Sequence, residues 1–177
     1  LGASIASFDA SEALKIPGVI RIENVPSVGL VVLADNTHAA LTAREALKIQ
    51  WNMGNNTNLN SSGISDKLRA GFTKLGDLPT TTVKTIEAEY HLPYIAHATM
   101  EPMNCVADVR DTTAEIWCPT QVGDSALSSV ASATGIAAAN IKFNVTLMGG
   151  GFGRRLYAEY ASIAARISKA FKVPVLF

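Results

Sequence analysis

The sequence predicts a mixed α/β chain of the α+β class, built in two parts. Short alternating apolar runs, such as Ile141, Phe143, Val145 and Leu147, have the period of half-buried strands. Runs with helical spacing, such as Tyr160, Ile163, Ala164, Ile167, Ala170 and Phe171, mark amphipathic helices. The two kinds of run are interleaved, with turn residues between them. At 177 residues and 48% hydrophobic, the chain is long enough for one large domain or two small ones and can bury a sizeable core.

Each element has its own signal. Asp9-Ala10-Ser11-Glu12 has the form of a capping box, so a short helix is expected, ending before Pro17-Gly18. Residues 19–22 and 28–34 read as strands with a turn around Pro26. Asp35 or Thr37 is expected to cap a helix running to about residue 50. Residues 54–65, rich in Asn, Ser and Gly, read as an exposed connector. A helical patch over 67–75 and a half-buried strand over 81–90 come next, with a boundary near 76–80 that gives parts 1–78 and 79–177. Strands at 104–109 and 114–118 then lead to a helix from about Asp124, stopped by Gly135. The last strand, 173–177, is expected to lie parallel to 141–147 through a right-handed crossover.

Composition excludes several functions. Net charge is zero and no basic cluster is interleaved with aromatics, which argues against nucleic acid or an anionic membrane as partner. The longest apolar runs, such as 28–34, are too short to span a bilayer. Cys105 and Cys118 cannot make a four-cysteine zinc or iron–sulfur site, and are expected to be two buried thiols. His38, His91 and His97 lack metal-ligand spacing. Without an initiator Met, and with an apolar strand-like end, the chain reads as a segment of a longer polypeptide.

The most informative stretch is Gly149-Gly150-Gly151-Phe152-Gly153-Arg154-Arg155. It joins a predicted strand to a predicted helix, an arrangement that suits an anionic cofactor. Glycines permit positive φ and close backbone approach, and the first helical amides lack internal partners. No Gly-Lys-Ser/Thr follows, so this is not a Walker loop, and Arg154 stands where G-x-G-x-x-G needs its third glycine. Two arginines at a helix start oppose its dipole unless an anion or acidic partner is near. A glycine-rich turn with surface arginines is the bland alternative.

Three segments together resemble the molybdenum-binding subunits of the xanthine dehydrogenase/aldehyde oxidase superfamily, in the branch of isoquinoline 1-oxidoreductase β-subunits and related bacterial aldehyde dehydrogenases. They are Pro93-Tyr94-Ile95-Ala96-His97-Ala98-Thr99-Met100-Glu101-Pro102-Met103-Asn104, Trp117-Cys118-Pro119-Thr120-Gln121, and the glycine loop. The first half also resembles that family's α/β-hammerhead domain. The resemblance implies a partial hammerhead domain over 1–78 and the first part of a molybdopterin-binding domain over 79–177. It implies a molybdopterin cofactor, in bacteria usually the cytosine dinucleotide form, and an iron–sulfur partner subunit that removes electrons. The implied reaction is hydroxylation of an aldehyde or N-heterocyclic aromatic with water-derived oxygen, in the bacterial cytoplasm or periplasm.

By the same resemblance, Gln121 matches a glutamine whose amide contacts the apical oxygen of molybdenum, and a neutral amide donates there without competing as an anionic ligand. Phe152 and Gly153 match loop positions at the metal end of the cofactor, with Gly149, Gly150, Gly151, Arg154 and Arg155 completing the cradle. Arg154 and Arg155 are candidates for cofactor phosphate, or Arg155 for an i,i+4 pair with Glu159. His97 and Glu101 allow an acid–base pair, although Pro102 disfavours a shared helix face and structural hydrogen bonding is the favoured role. The family's catalytic glutamate is expected downstream of Phe177, so the fragment alone is expected to be inactive. The purine-oxidising branch continues its loop with Gly-Lys-Glu; Arg154-Arg155-Leu156 lacks that carboxylate, which favours an aldehyde or N-heterocycle. Two other classes compete: a non-catalytic binding or assembly module that kept the fold, and a generic phosphate-binding α/β protein.

Overall fold

The structure is a computed structural model that describes residues 2–72, 81, 84, 86 and 88–177. The chain forms two compact units, Leu1–Asp9 with Lys48–Tyr94 and Ala10–Leu47 with Ile95–Phe177. Both mix helices and strands, as the α+β class requires.

In the first unit, β1 (Ser4–Asp9) pairs antiparallel with β4 (Lys48–Asn52), placing Phe8 opposite Ile49 and Ser4 opposite Asn52. This overturns the expected helix to residue 50: Leu47 is extended at φ −67°, ψ 134°, and residues 48–52 pair as a strand. α2 (Ser61–Ala70) starts inside the predicted connector and earlier than the predicted patch, because the Asn60 side chain accepts from Gly63 N and caps it. Residues 73–75 of that patch, the boundary at 76–80, and residues 82, 83, 85 and 87 of the predicted strand lie outside the described residues; 88–90 are not in a strand.

The second unit opens with a single 3-10 turn, Ala13–Lys15, in place of the predicted capped helix, since Pro17 and Gly18 leave no room for a second turn. β2 (Val19–Val25) and β3 (Gly29–Ala34), the two expected strands, pair as a hairpin across the turn around Pro26, with β2 running three residues beyond the expected end at 22. α1 (Thr37–Ala46) is capped by Asn36, which accepts from Ala39 N, and not by Asp35 or Thr37. A four-stranded sheet follows, in the order β7 (Ile141–Val145), β6 (Ala114–Cys118), β5 (Val106–Val109), β8 (Val175–Leu176). β7 runs parallel to β6, whereas β5 is antiparallel to both β6 and β8. β8 therefore points the same way as β7, as expected, but occupies the opposite edge.

α3 (Gly123–Thr134) ends at Gly135, whose φ of 74° suits a residue without a Cβ. α4 (Glu159–Phe171) buries Tyr160, Ala164, Ile167 and Phe171 on one face. That face joins Cys105, Ala107, Ile116, Cys118 and Val130 in one core. The cysteines are free, buried thiols, as expected. The glycine loop leaves β7 at this core's edge.

Candidate functional site

The loop does not run directly into a helix start. A 3-10 turn, Arg154–Leu156, intervenes, and α4 begins only at Glu159. The expected cradle of helix-terminal amides is therefore corrected: any cradle here belongs to the loop's own backbone. Gly150 and Gly153 have φ of 100° and 89°, and even Phe152 is left-handed at 50°. For a non-glycine residue that costs about 1 kcal/mol or more. Arg154 N donates to Gly151 O at 2.8 Å and Leu156 N to Gly153 O at 3.2 Å. Among the described residues, no hydrogen bond takes up the amides of Gly150, Gly151 or Phe152.

The three segments singled out in the sequence converge on one side chain. Arg155 is fully buried, and its guanidinium donates to each of them. Nε reaches Gly150 O at 2.9 Å and Nη1 reaches Pro119 O at 3.0 Å. Nη2 reaches Glu101 Oε2 at 2.8 Å and Glu101 O at 3.0 Å. The carbonyl of the same residue accepts from Thr120 Oγ1 at 3.1 Å and Gln121 N at 3.2 Å. The expected Arg155–Glu159 pair is not formed; Glu159 pairs with Arg154 instead. Arg155 itself spends its charge inside the protein.

Glu101 is equally committed. Its Oε2 also accepts from Gly149 N at 2.7 Å, and its Oε1 accepts from Asn104 Nδ2 at 3.0 Å. Glu101 N in turn donates to Gly149 O at 3.3 Å. The Gly149 amide, then the Asn104 amide, and after them the charge of Arg155 hold this carboxyl below its ordinary value of 4.5, against the opposing effect of burial. No hydrogen bond joins Glu101 to His97. Imidazole Nε2 instead lies 3.9 Å from where a Cβ on Gly153 would stand, beside Ala98 at φ 50°.

Gln121 lies against the loop. Its Oε1 accepts from Gly153 N at 3.2 Å, which leaves the amide nitrogen with two donors unspent among the described residues. A Cβ on Gly151 would stand 2.5 Å from that Oε1, and one on Gly149 would stand 2.6 Å from Glu101 Cβ. Behind this layer, the buried Tyr160 donates its hydroxyl to Pro119 O at 2.9 Å. Tyr160, Thr120 and Asn104 were not anticipated as site residues. Thr120 and Asn104 stand inside the motifs, but nothing in the letters said what they would bind.

The molybdopterin cofactor-binding domain family matches residues 67–177, which include all three converging segments. The chain belongs to that family. A membrane-bound aldehyde dehydrogenase [pyrroloquinoline-quinone] of Gluconacetobacter polyoxogenes is 32% identical over 96% of this chain and 24% of its own length. The isoquinoline 1-oxidoreductase subunit beta of Brevundimonas diminuta is 29% identical over 93% of this chain and 24% of its own length. Quinoline 2-oxidoreductase from Pseudomonas putida 86 shares the fold, with a TM-score of 0.71 over 98% of this chain and 29% of that chain, at 18% identity. The molybdopterin-domain chain thus spans about a quarter of the length of the curated relatives it matches. No described helix is long and apolar enough to cross a membrane.

Proposed function

We propose that this chain forms one wall of the molybdenum-cofactor site of an oxidoreductase subunit that oxidises an aldehyde or an N-heterocyclic aromatic. The observation that carries this reading is the Gly153 N–H bond to Gln121 Oε1, which turns the donor end of the amide away from the loop. Together with the unpartnered amides of Gly150, Gly151 and Phe152, it makes a cluster of neutral donors suited to oxygen atoms of a metal centre. Gly149 and Gly151 let Glu101 and Gln121 pack against the loop that presents these donors, since a Cβ at 149 or 151 would meet one or the other. The molybdopterin, here taken as the cytosine dinucleotide form, supplies the two-electron chemistry when bound.

The residues divide the remaining work. Gln121 orients by donating from its amide nitrogen, and the Gly149–Gly153 backbone supplies shape. Phe152, 74% exposed, lends an apolar face that excludes water on one side of the site. Glu101 holds no mobile proton, because both its oxygens accept within the protein. Glu101 is thus not the base of the proposed reaction; the proposal assigns that role outside these 177 residues and the removal of electrons to an iron–sulfur partner. The hammerhead assignment of 1–78 and the cofactor-domain assignment of 79–177 belong to the same proposal.

On this reading the 177 residues alone are inactive. Met100 and Leu147 are 94% and 97% exposed, and Phe152 is 74% exposed, as an incomplete apolar pocket would be. Molybdenum content and aldehyde turnover of the purified chain test this; stoichiometric metal with turnover would overturn it. The alternative of a non-catalytic module predicts a full-length polypeptide without molybdenum or turnover. A quinone cofactor, suggested by the name of one relative, predicts quinone in place of pterin.

A further inference from the structure

We infer that Glu101 and Arg155 form a positioning device that presets the glycine loop and Gln121 before any cofactor arrives. The inference deepens the proposed function and rests on it only for the consequence at the cofactor. Its basis is where the bonds go. Gly149 is clamped from both sides, its N–H by Glu101 Oε2 and its carbonyl by Glu101 N. Six residues on, Arg155 closes the loop by binding Gly150 O and Glu101 in one fork. Both ends of the loop therefore hang on one ion pair.

Gln121 hangs on it too. Arg155 Nη1 holds Pro119 O, while the Arg155 carbonyl takes the Thr120 hydroxyl and the Gln121 amide. Arg155 is buried while Glu101 keeps a third of its side chain in solvent, so desolvation of the guanidinium and screening at the carboxylate both limit what the pair adds to global stability. What it supplies is specificity. The planar fork of Arg meets several carbonyls and a carboxylate at fixed angles, which an ammonium cannot do. A loop with left-handed backbone at 150, 152 and 153 is costly to order, and the pair offsets that cost locally. None of the guanidinium's partners lies in the four-stranded sheet or in a helix.

Amide hydrogen exchange on the full-length polypeptide in its cofactor-free form tests the device directly, comparing wild type with Glu101→Gln and Arg155→Lys. Glu101→Gln keeps the shape and removes the charge. It should speed exchange at Gly149, Gln121, Gly153 and Arg154 by about tenfold, with α4, β5 and β6 unchanged. No change at those amides, or equal acceleration throughout the second unit, would overturn the inference. Arg155→Lys should give the same local pattern, more strongly; if it fails to fold, Glu101→Gln carries the test alone. Molybdenum and pterin content per polypeptide is the second readout. Reduced retention in Glu101→Gln at unchanged expression is expected, and full retention would overturn the cofactor half. Wild type lacking both molybdenum and pterin would sink the proposed function while leaving the exchange result to stand or fall by itself.

Discussion

Gln121 and Gly151 can be separated by their substitutions. Gln121→Ala in the full-length subunit should leave the cofactor bound and lower turnover by about 1–3 kcal/mol of barrier, the value of one preorganised hydrogen bond. Kinetics unchanged from wild type would refute its role. Gly151→Ala places a Cβ 2.5 Å from Gln121 Oε1, and that oxygen is the far end of a flexible side chain. The amide should swing off Gly153, so the variant folds yet copies the turnover defect of Gln121→Ala. Gly149→Ala meets Glu101 at its Cβ, which cannot swing, and should destabilise the loop by about 1–3 kcal/mol. Acid acts on the same carboxylate. Glu101 titrates below its ordinary value when folded, so its contribution is complete above 4.5 and is lost as pH falls through the lower folded value. Loop amide protection should therefore persist at pH 4.5 and disappear only in stronger acid, as exchange at graded pH would show. That Gln121 and the glycine loop belong together was legible in the sequence through the motifs that contain them. The role of Arg155 was not, since its partners lie at 101, 119 and 150, and no local pattern reports a meeting between segments so far apart.

Elements were legible in proportion to how asymmetrically they are buried. β5, β6, α3 and α4 each press one face on a shared core, and their apolar spacing announced them. β1 is exposed at every position but Ile5, so it carries no period-two signal, and its pairing with β4 was missed along with it. β8 was expected from its apolar letters, but its partner was not, because strand order depends on contacts beyond any window. Ser168 shows how these elements are joined. Its buried hydroxyl accepts from Val109 N at 2.9 Å and donates to Val173 O at 2.7 Å, tying α4 to β5 and to the approach of β8. Ser168→Ala strands the Val109 amide, which should cost about 1–3 kcal/mol and appear as faster exchange at that amide. Just before β5, the neighbouring Cys118 thiol of β6 and burial push Cys105 well above the ordinary thiol range. Native protein should thus resist alkylation at Cys105 at neutral pH, while denatured protein reacts.

At the scale of the whole chain, the two compact units interleave in sequence, since residues 48–52 return to pair with the strand formed by residues 4–9. No composition shift betrays that return, and a linear division of the chain is blind to it. The family, by contrast, was legible because three motifs coincide, and the second unit joins them through Arg155. Whether the loop they form holds a molybdenum–pterin cofactor, as proposed, is decided by measuring molybdenum and pterin in the purified full-length polypeptide, wild type beside Gly149→Ala. One molybdenum and one pterin per wild-type polypeptide are expected, with a marked loss of both in the variant. Wild type with neither, or a variant that retains both in full, would contradict it.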